Sequence, residues 1–142
     1  MTIDELPISG GRLSNFEKVQ IFHKATRASQ NIWPPTDEIL NLRLSLIDEE
    51  LDELKDEFDE YYENRELHPA IDKEQVAKEL ADLLYVVYGA ADTFGIPIDE
   101  VFTEVHKSNM SKLVDGEPLL RHDGKIMKGP NYKPPQLDWI SK

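Results

Sequence analysis

Two short acidic runs carry the residue types best able to do chemistry in this chain: Glu49-Glu50-Leu51-Asp52-Glu53 and Glu79-Leu80-Ala81-Asp82. Within them, Glu50 and Glu53, and likewise Glu79 and Asp82, stand three residues apart and so share a helix face. At about 100° per residue, each pair lies roughly 100° from the centre of its own helix's apolar stripe, in the same sense. Antiparallel packing through those stripes keeps equal offsets on one side, so the four carboxylates should converge at one edge of the interface. Unneutralised, they would repel one another and suffer desolvation. An all-oxygen set without a Cys or His cluster suits a hard cation, Mg²⁺ or Mn²⁺, rather than zinc. Mg²⁺ keeps waters and recruits phosphate oxygens, which makes a polyphosphate the expected partner. Carboxylates shared between two such ions would let one activate a water and the other stabilise the leaving oxygen. Taken singly, each run also fits an ordinary solvated helix face.

The opposite charge collects toward the C-terminus. Residues 48–66 hold eleven acids against two bases and residues 67–105 eight against two, whereas from His106 onward seven bases face four acids. Lys107, Asn109 and Lys112 come first, followed by Arg121, Lys125, Lys128 and Lys133. Lysine or arginine side chains and the Asn109 amide suit a triphosphate that stays anionic after metal binding, and could neutralise a departing pyrophosphate. A merely solvated basic tail is the alternative. Gly129 and Tyr132 fit either a loop closing over a ligand or an ordinary turn with an aromatic plug.

The remaining composition narrows the field. A chain of 142 residues with 39% apolar side chains is expected to form one compact domain with a core, despite a net charge of −12. That charge disfavours nucleic acid and anionic membranes as partners. With no cysteine, disulfides, zinc–thiolate sites and thiol nucleophiles drop out. No apolar run approaches the roughly 20 residues needed to span a bilayer, and the first residues lack the basic and apolar regions of a signal peptide, so a cytoplasmic protein is expected.

Helices must position the acidic runs. Residues 1–13, with Pro7 and Gly10-Gly11, lack periodicity and read as an N-terminal arm. Ser14 and Glu17 form a capping box for a helix running to about Gln30, with Phe16, Val19 and Phe22 inward, before Pro34-Pro35 breaks it. A second helix is expected from Thr36 or Asp37 to about Asn64, its stripe formed by Leu40, Leu44, Ile47, Leu51, Leu54 and Phe58. After a turn at Leu67-His68-Pro69, Asp72 caps a third helix reaching Phe94, with Val76, Leu80, Leu83, Leu84 and Val87 as its stripe. Tyr85, Val86 and Tyr88 widen that apolar surface beyond what one neighbour can cover, which points to a bundle or a dimer core. A fourth helix should span about Ile98 to Leu113, with Val101, Phe102 and Val105 inward. Turn signals at Asp115-Gly116, Asp123-Gly124 and Gly129-Pro130 then mark a tail in which residues 119–128 could form a hairpin. The expectation is an all-α, antiparallel bundle of about four helices, residues 14–113 forming the catalytic domain and residues 114–142 a tail packing on or closing over the site.

Glu49-Glu50-x-x-Glu53 followed by Glu79-x-x-Asp82 resembles the signature of the all-α nucleoside triphosphate pyrophosphohydrolases, the superfamily of MazG, the phosphoribosyl-ATP pyrophosphohydrolases and the dimeric dUTPases. The stretch His106-Lys107-Ser108-Asn109-Met110-Ser111-Lys112, with Asp115-Gly116, Asp123-Gly124-Lys125 and Lys128-Gly129-Pro130-Asn131-Tyr132, is similar to the C-terminal pattern of its single-domain MazG-like members. The resemblance extends from about residue 14 to residue 135. It implies an oligomer, a homodimer or homotetramer, that hydrolyses a nucleoside triphosphate to the monophosphate and pyrophosphate. It also implies that Glu50, Glu53, Glu79 and Asp82 bind Mg²⁺, that Glu49 joins a second metal or positions the attacking water, and that Asn109, Lys112, Lys125, Lys128 and Tyr132 contact phosphate. Phe16, Gln20, His23 and Trp33 match the region that borders the nucleoside, although Phe16 also reads as core and His23 as a surface or helix-end residue. The closing tail favours pool sanitation of a deoxy or non-canonical nucleotide over histidine biosynthesis. The alternatives are phosphoribosyl-ATP or a diphosphate as substrate, or a non-catalytic acidic module that docks a basic partner.

Overall fold

A computed structural model describes residues 11–63 and 71–141. Four helices follow in order, α1 (Asn15–Thr26), α2 (Asp37–Glu63), α3 (Lys73–Thr93) and α4 (Ile98–Met110), with a short 3₁₀ turn at Asp138–Ser141. No strand occurs among the described residues, so the chain is all-α. Most of the N-terminal arm and the turn around His68 lie outside the described residues. The chain divides into two compact units, Met1–Gly95 with α1–α3, and Ile96–Lys142 with α4 and the tail.

Local chemistry sets the helix starts. The Ser14 hydroxyl accepts from the Glu17 amide at 3.1 Å, and the Asp72 carboxylate accepts from the amides of Glu74 and Gln75, satisfying donors that would otherwise be orphaned in a first turn. Two helix ends fall earlier than periodicity suggests. Arg27 takes the left-handed conformation (φ 61°) and stops α1 at Thr26, not near Gln30. In the second unit, Ser111 caps α4 after Met110, three residues before Leu113.

In the first unit, α3 is the central element, packed against both α2 and α1. Arg43 near the start of α2 approaches Gly89 near the end of α3, whereas Glu50 and Glu53 further along α2 meet Glu79 and Asp82 earlier in α3. These two helices are therefore antiparallel. Against α3, α1 buries Phe16 and Val19, with the Phe16 and Tyr88 rings 6.1 Å apart. Val19, 1% exposed, contributes roughly 1.5–3 kcal/mol by its burial.

The buried faces differ from those the stripes predict. Phe22, Leu44, Leu80, Leu84 and Val87 are exposed, and so is Phe102 in the second unit. The reason lies in α3, whose most buried positions include Glu79, Gly89, Ala90 and Thr93. Small residues near its C-terminal end are the ones buried there, while the large side chains at 80, 84 and 87 stay exposed. Leu42 and Leu44 of α2 are exposed as well.

In the second unit, Val114 and Glu117 exchange backbone hydrogen bonds of 2.8 and 2.9 Å across Asp115-Gly116. Both turn residues have positive φ, as a type I′ turn requires, and glycine adopts it without strain. Leu120 and Ile126 form a second isolated antiparallel bridge around Asp123-Gly124, where the Arg121 guanidinium grips the Asp123 carboxylate. The expected hairpin is thus present as paired turns, without regular strands.

Candidate active site

The two acidic runs meet. One carboxylate oxygen from each of Glu50, Glu53, Glu79 and Asp82 lies within 4.8 Å of all the others. Glu79 is only 4% exposed, deeper than an edge position, because α3 turns it into the packed face. Crowding has an electrostatic signature. The Glu53 carboxyl is raised above its ordinary value, first by the charge of Glu50, then by partial desolvation and the charge of Glu79. Glu50 Oε2 and Glu79 Oε2 are buried oxygens with no hydrogen-bond partner. Uncompensated buried carboxylate oxygens are costly, and a divalent cation is the partner that satisfies several at once. By donor chemistry and unmet bonding, the set fits Mg²⁺ or Mn²⁺.

Side chains from α3 border the group. Lys78 Nζ lies 2.7 Å from Asp82 Oδ2 and 3.5 Å from Glu79 Oε1, and Gln75 Nε2 donates to Glu79 Oε1 at 3.4 Å. Glu49 is exposed on α2 and stands outside the four-carboxylate group.

The residues expected near a nucleoside have varied settings. Phe16 is core. Gln20 is half-buried, and its carbonyl accepts from Gln30 Nε2 at 3.3 Å. Trp33 is 71% exposed, edge-on to Phe94 with ring centroids 6.0 Å apart. His23 is not a surface residue. It is 5% exposed, and its Nδ1 is 2.8 Å from Asp92 Oδ2. Gln30 Nε2 donates to the same oxygen at 2.9 Å. Buried Arg43 completes this second polar cluster, its guanidinium lowered by desolvation and partly restored by the charge of Asp92. Gly89 makes room, since a Cβ there would stand 3.1 Å from His23 Nε2 and 3.6 Å from Arg43 Nη1.

Sequence reasoning passed over Gln30, Arg43 and Asp92. Arg43 was legible as a lone charge between Leu42 and Leu44, and Asp92 as a carboxylate following the small run Gly89-Ala90-Ala91.

Within the second unit, Asn109 and Lys125 are exposed, and Lys112 is half-buried. Lys128 Nζ sits 4.7 Å from the centroid of the Tyr132 ring, a cation–π contact. The Ser108 hydroxyl donates to the Lys133 carbonyl at 2.8 Å, and the Lys133 amide donates to Ser111 Oγ at 2.9 Å. These bonds pin residue 133 to the end of α4. An open depression beside them is lined by Ser111, Leu113, Pro130, Asn131, Tyr132 and Lys133. His106 and His122 are exposed. No described helix is long and apolar enough to cross a membrane.

A family model described as phosphoribosyl-ATP pyrophosphohydrolase matches residues 13–109. The match takes in α1–α3, α4 up to its last residue and both acidic runs, and it ends before the turn-rich tail. No curated protein matches the chain.

Proposed function

Because the chain belongs to the phosphoribosyl-ATP pyrophosphohydrolase family, within the MazG-like all-α superfamily, and is thereby a pyrophosphohydrolase acting on phosphoric anhydrides, we propose that it hydrolyses a nucleoside triphosphate to the monophosphate and pyrophosphate in nucleotide pool sanitation. The observation that carries this reading is the convergence of Glu50, Glu53, Glu79 and Asp82, with two buried oxygens lacking partners. The preference for a triphosphate over phosphoribosyl-ATP is supported by the basic tail beyond residue 109, which the family match does not include.

Glu50, Glu53, Glu79 and Asp82 hold Mg²⁺ in this proposal. The ion, when bound, supplies Lewis-acid stabilisation of charge on phosphate oxygens and lowers the pKa of a water. Glu49, exposed next to the group, orients the attacking water and accepts its proton. The water oxygen bonds to phosphorus, the anhydride bond breaks, and the electron pair leaves with pyrophosphate. Asn109, Lys112, Lys125, Lys128 and Tyr132 are assigned to phosphate, where cationic donors offset charge on the leaving group. Phe16, Gln20, His23 and Trp33 are assigned to the nucleoside region. Of these, Trp33 has the exposed ring that stacking requires, while buried His23 serves by fixing the surrounding helices. A cytoplasmic setting belongs to the same proposal.

Assembly as a homodimer or homotetramer is supported by the exposed apolar side chains of Leu80, Leu84 and Val87 on α3 and of Leu42 and Leu44 on α2, which a second copy would remove from water.

The test is a panel of canonical, deoxy and modified nucleoside triphosphates, nucleoside diphosphates and phosphoribosyl-ATP, with Mg²⁺ or Mn²⁺, scored for monophosphate and pyrophosphate. Triphosphate turnover that Glu50→Gln and Asp82→Asn abolish is the expected result. Turnover of phosphoribosyl-ATP alone would reassign the substrate. No turnover, with salt-sensitive capture of a basic protein and no joint thermal stabilisation by metal and nucleotide, would favour an interaction module.

A further inference from the structure

Lys78 is a cation placed among the proposed metal ligands. Its ammonium reaches Asp82 Oδ2 at 2.7 Å and Glu79 Oε1 at 3.5 Å, so it contacts both carboxylates that α3 contributes to the group. Lys78–Asp82 is also an i,i+4 pair within α3. Within a helix, i,i+4 pairs stabilise best with the acid N-terminal to the base, and Lys78–Asp82 runs the other way.

The two halves of the group are neutralised differently. On α2, Glu50 and Glu53 have no ion pair with a basic side chain among the described residues. On α3, the neutralising charge is a side chain tethered to the same helix. Lys78 is 59% exposed, and its partner Asp82 is 38% exposed, so its flexible stem can swing into solvent without unpacking the core.

We propose that Lys78 is a tethered counter-ion that competes with the divalent metal for Asp82 and Glu79, lowering the metal affinity of the site and holding these two ligands in place until the ion displaces it. The proposal rests on the metal reading of the four carboxylates. Lys78 is a positioning residue here, not a catalytic one.

Calorimetric titration of the substrate-free protein with Mn²⁺ and Mg²⁺ tests this without any measurement of turnover. Lys78→Gln should bind about two- to fivefold more tightly than the unsubstituted protein, the factor expected when an exposed competing pair is removed. Raising the salt concentration should shrink that difference, because the competition is Coulombic. Lys78→Arg, which keeps the charge, should restore weaker binding. Equal or weaker affinity in Lys78→Gln overturns the proposal while leaving the metal site standing. If the unsubstituted protein binds neither ion, or if Glu50→Gln does not reduce binding, the metal reading fails and the proposal with it.

Discussion

Asp92→Ala gives the most demanding check on how the first unit is held together. Asp92 is 2% exposed and is bonded through one oxygen to His23 Nδ1 at 2.8 Å and Gln30 Nε2 at 2.9 Å. It also supplies the negative charge that sustains the buried Arg43 guanidinium. Removing it strips two donors of a charged acceptor and leaves a cation uncompensated inside the protein. Hydrogen bonds to charged groups are worth about 1.5–3 kcal/mol each, and the lost attraction between Asp92 and Arg43 acts in the same direction. The contributions overlap, so about 3–5 kcal/mol is the expected destabilisation. At about 2–4 °C per kcal/mol for a chain near this size, the melting temperature should fall by about 6–20 °C. Urea unfolding followed by circular dichroism, in chelator and at fixed protein concentration, measures the loss. Arg43→Met supplies the second arm of a cycle, because its combination with Asp92→Ala removes the stranded charge together with its partner. A coupling of about 1–3 kcal/mol is expected between the two sites. If Asp92→Ala unfolds within 1 kcal/mol of the unsubstituted protein, or the two losses simply add, the cluster does not tie the helices as described.

Three further outcomes follow from the same structure. Gly89→Ala should lower stability by about 1 kcal/mol despite alanine's better helix propensity, because the new Cβ would press on a His23 ring that Asp92 holds in place; a melting temperature at or above the unsubstituted value would contradict that. Glu79→Gln should reduce turnover by more than about a hundredfold; unchanged turnover in the substrate panel would remove Glu79 from the ligand set. The raised Glu53 carboxyl penalises the folded state while ionised, so metal-free stability should increase as pH falls through its folded pKa toward the ordinary 4.5. Metal affinity should decrease over the same interval as protons compete for the carboxylate; urea melts and calorimetry across that window would expose the opposite sign.

The positions of the principal side chains follow from sequence with little help from tertiary structure where local chemistry dominates. Ser14 with Glu17 and Asp72 with Gln75 announce helix starts because caps are satisfied within three residues. The convergence of Glu50, Glu53, Glu79 and Asp82 follows from two equal angular offsets and one antiparallel contact. The second polar cluster does not, because its pairs span 69 residues (His23–Asp92) and 62 residues (Gln30–Asp92), and a periodicity reading assigns isolated charges such as Arg43 to solvent. Leu80, Leu84 and Val87 mislead for a related reason: hydrophobic spacing identifies a face that avoids water, but not which neighbour covers it.

The four carboxylates are divided equally between α2 and α3, whose opposing positions are separated by a long excursion of chain. An ion held by all four would therefore act as a cross-link. In a protein without cysteine, it would take the place that a disulfide fills elsewhere, closing a loop of about 30 residues with a bond that forms and releases at equilibrium. The strength of that staple would be set from outside, by the concentration of free divalent ion, so the same ion that prepares the site for chemistry would also decide how firmly its two supporting helices remain together.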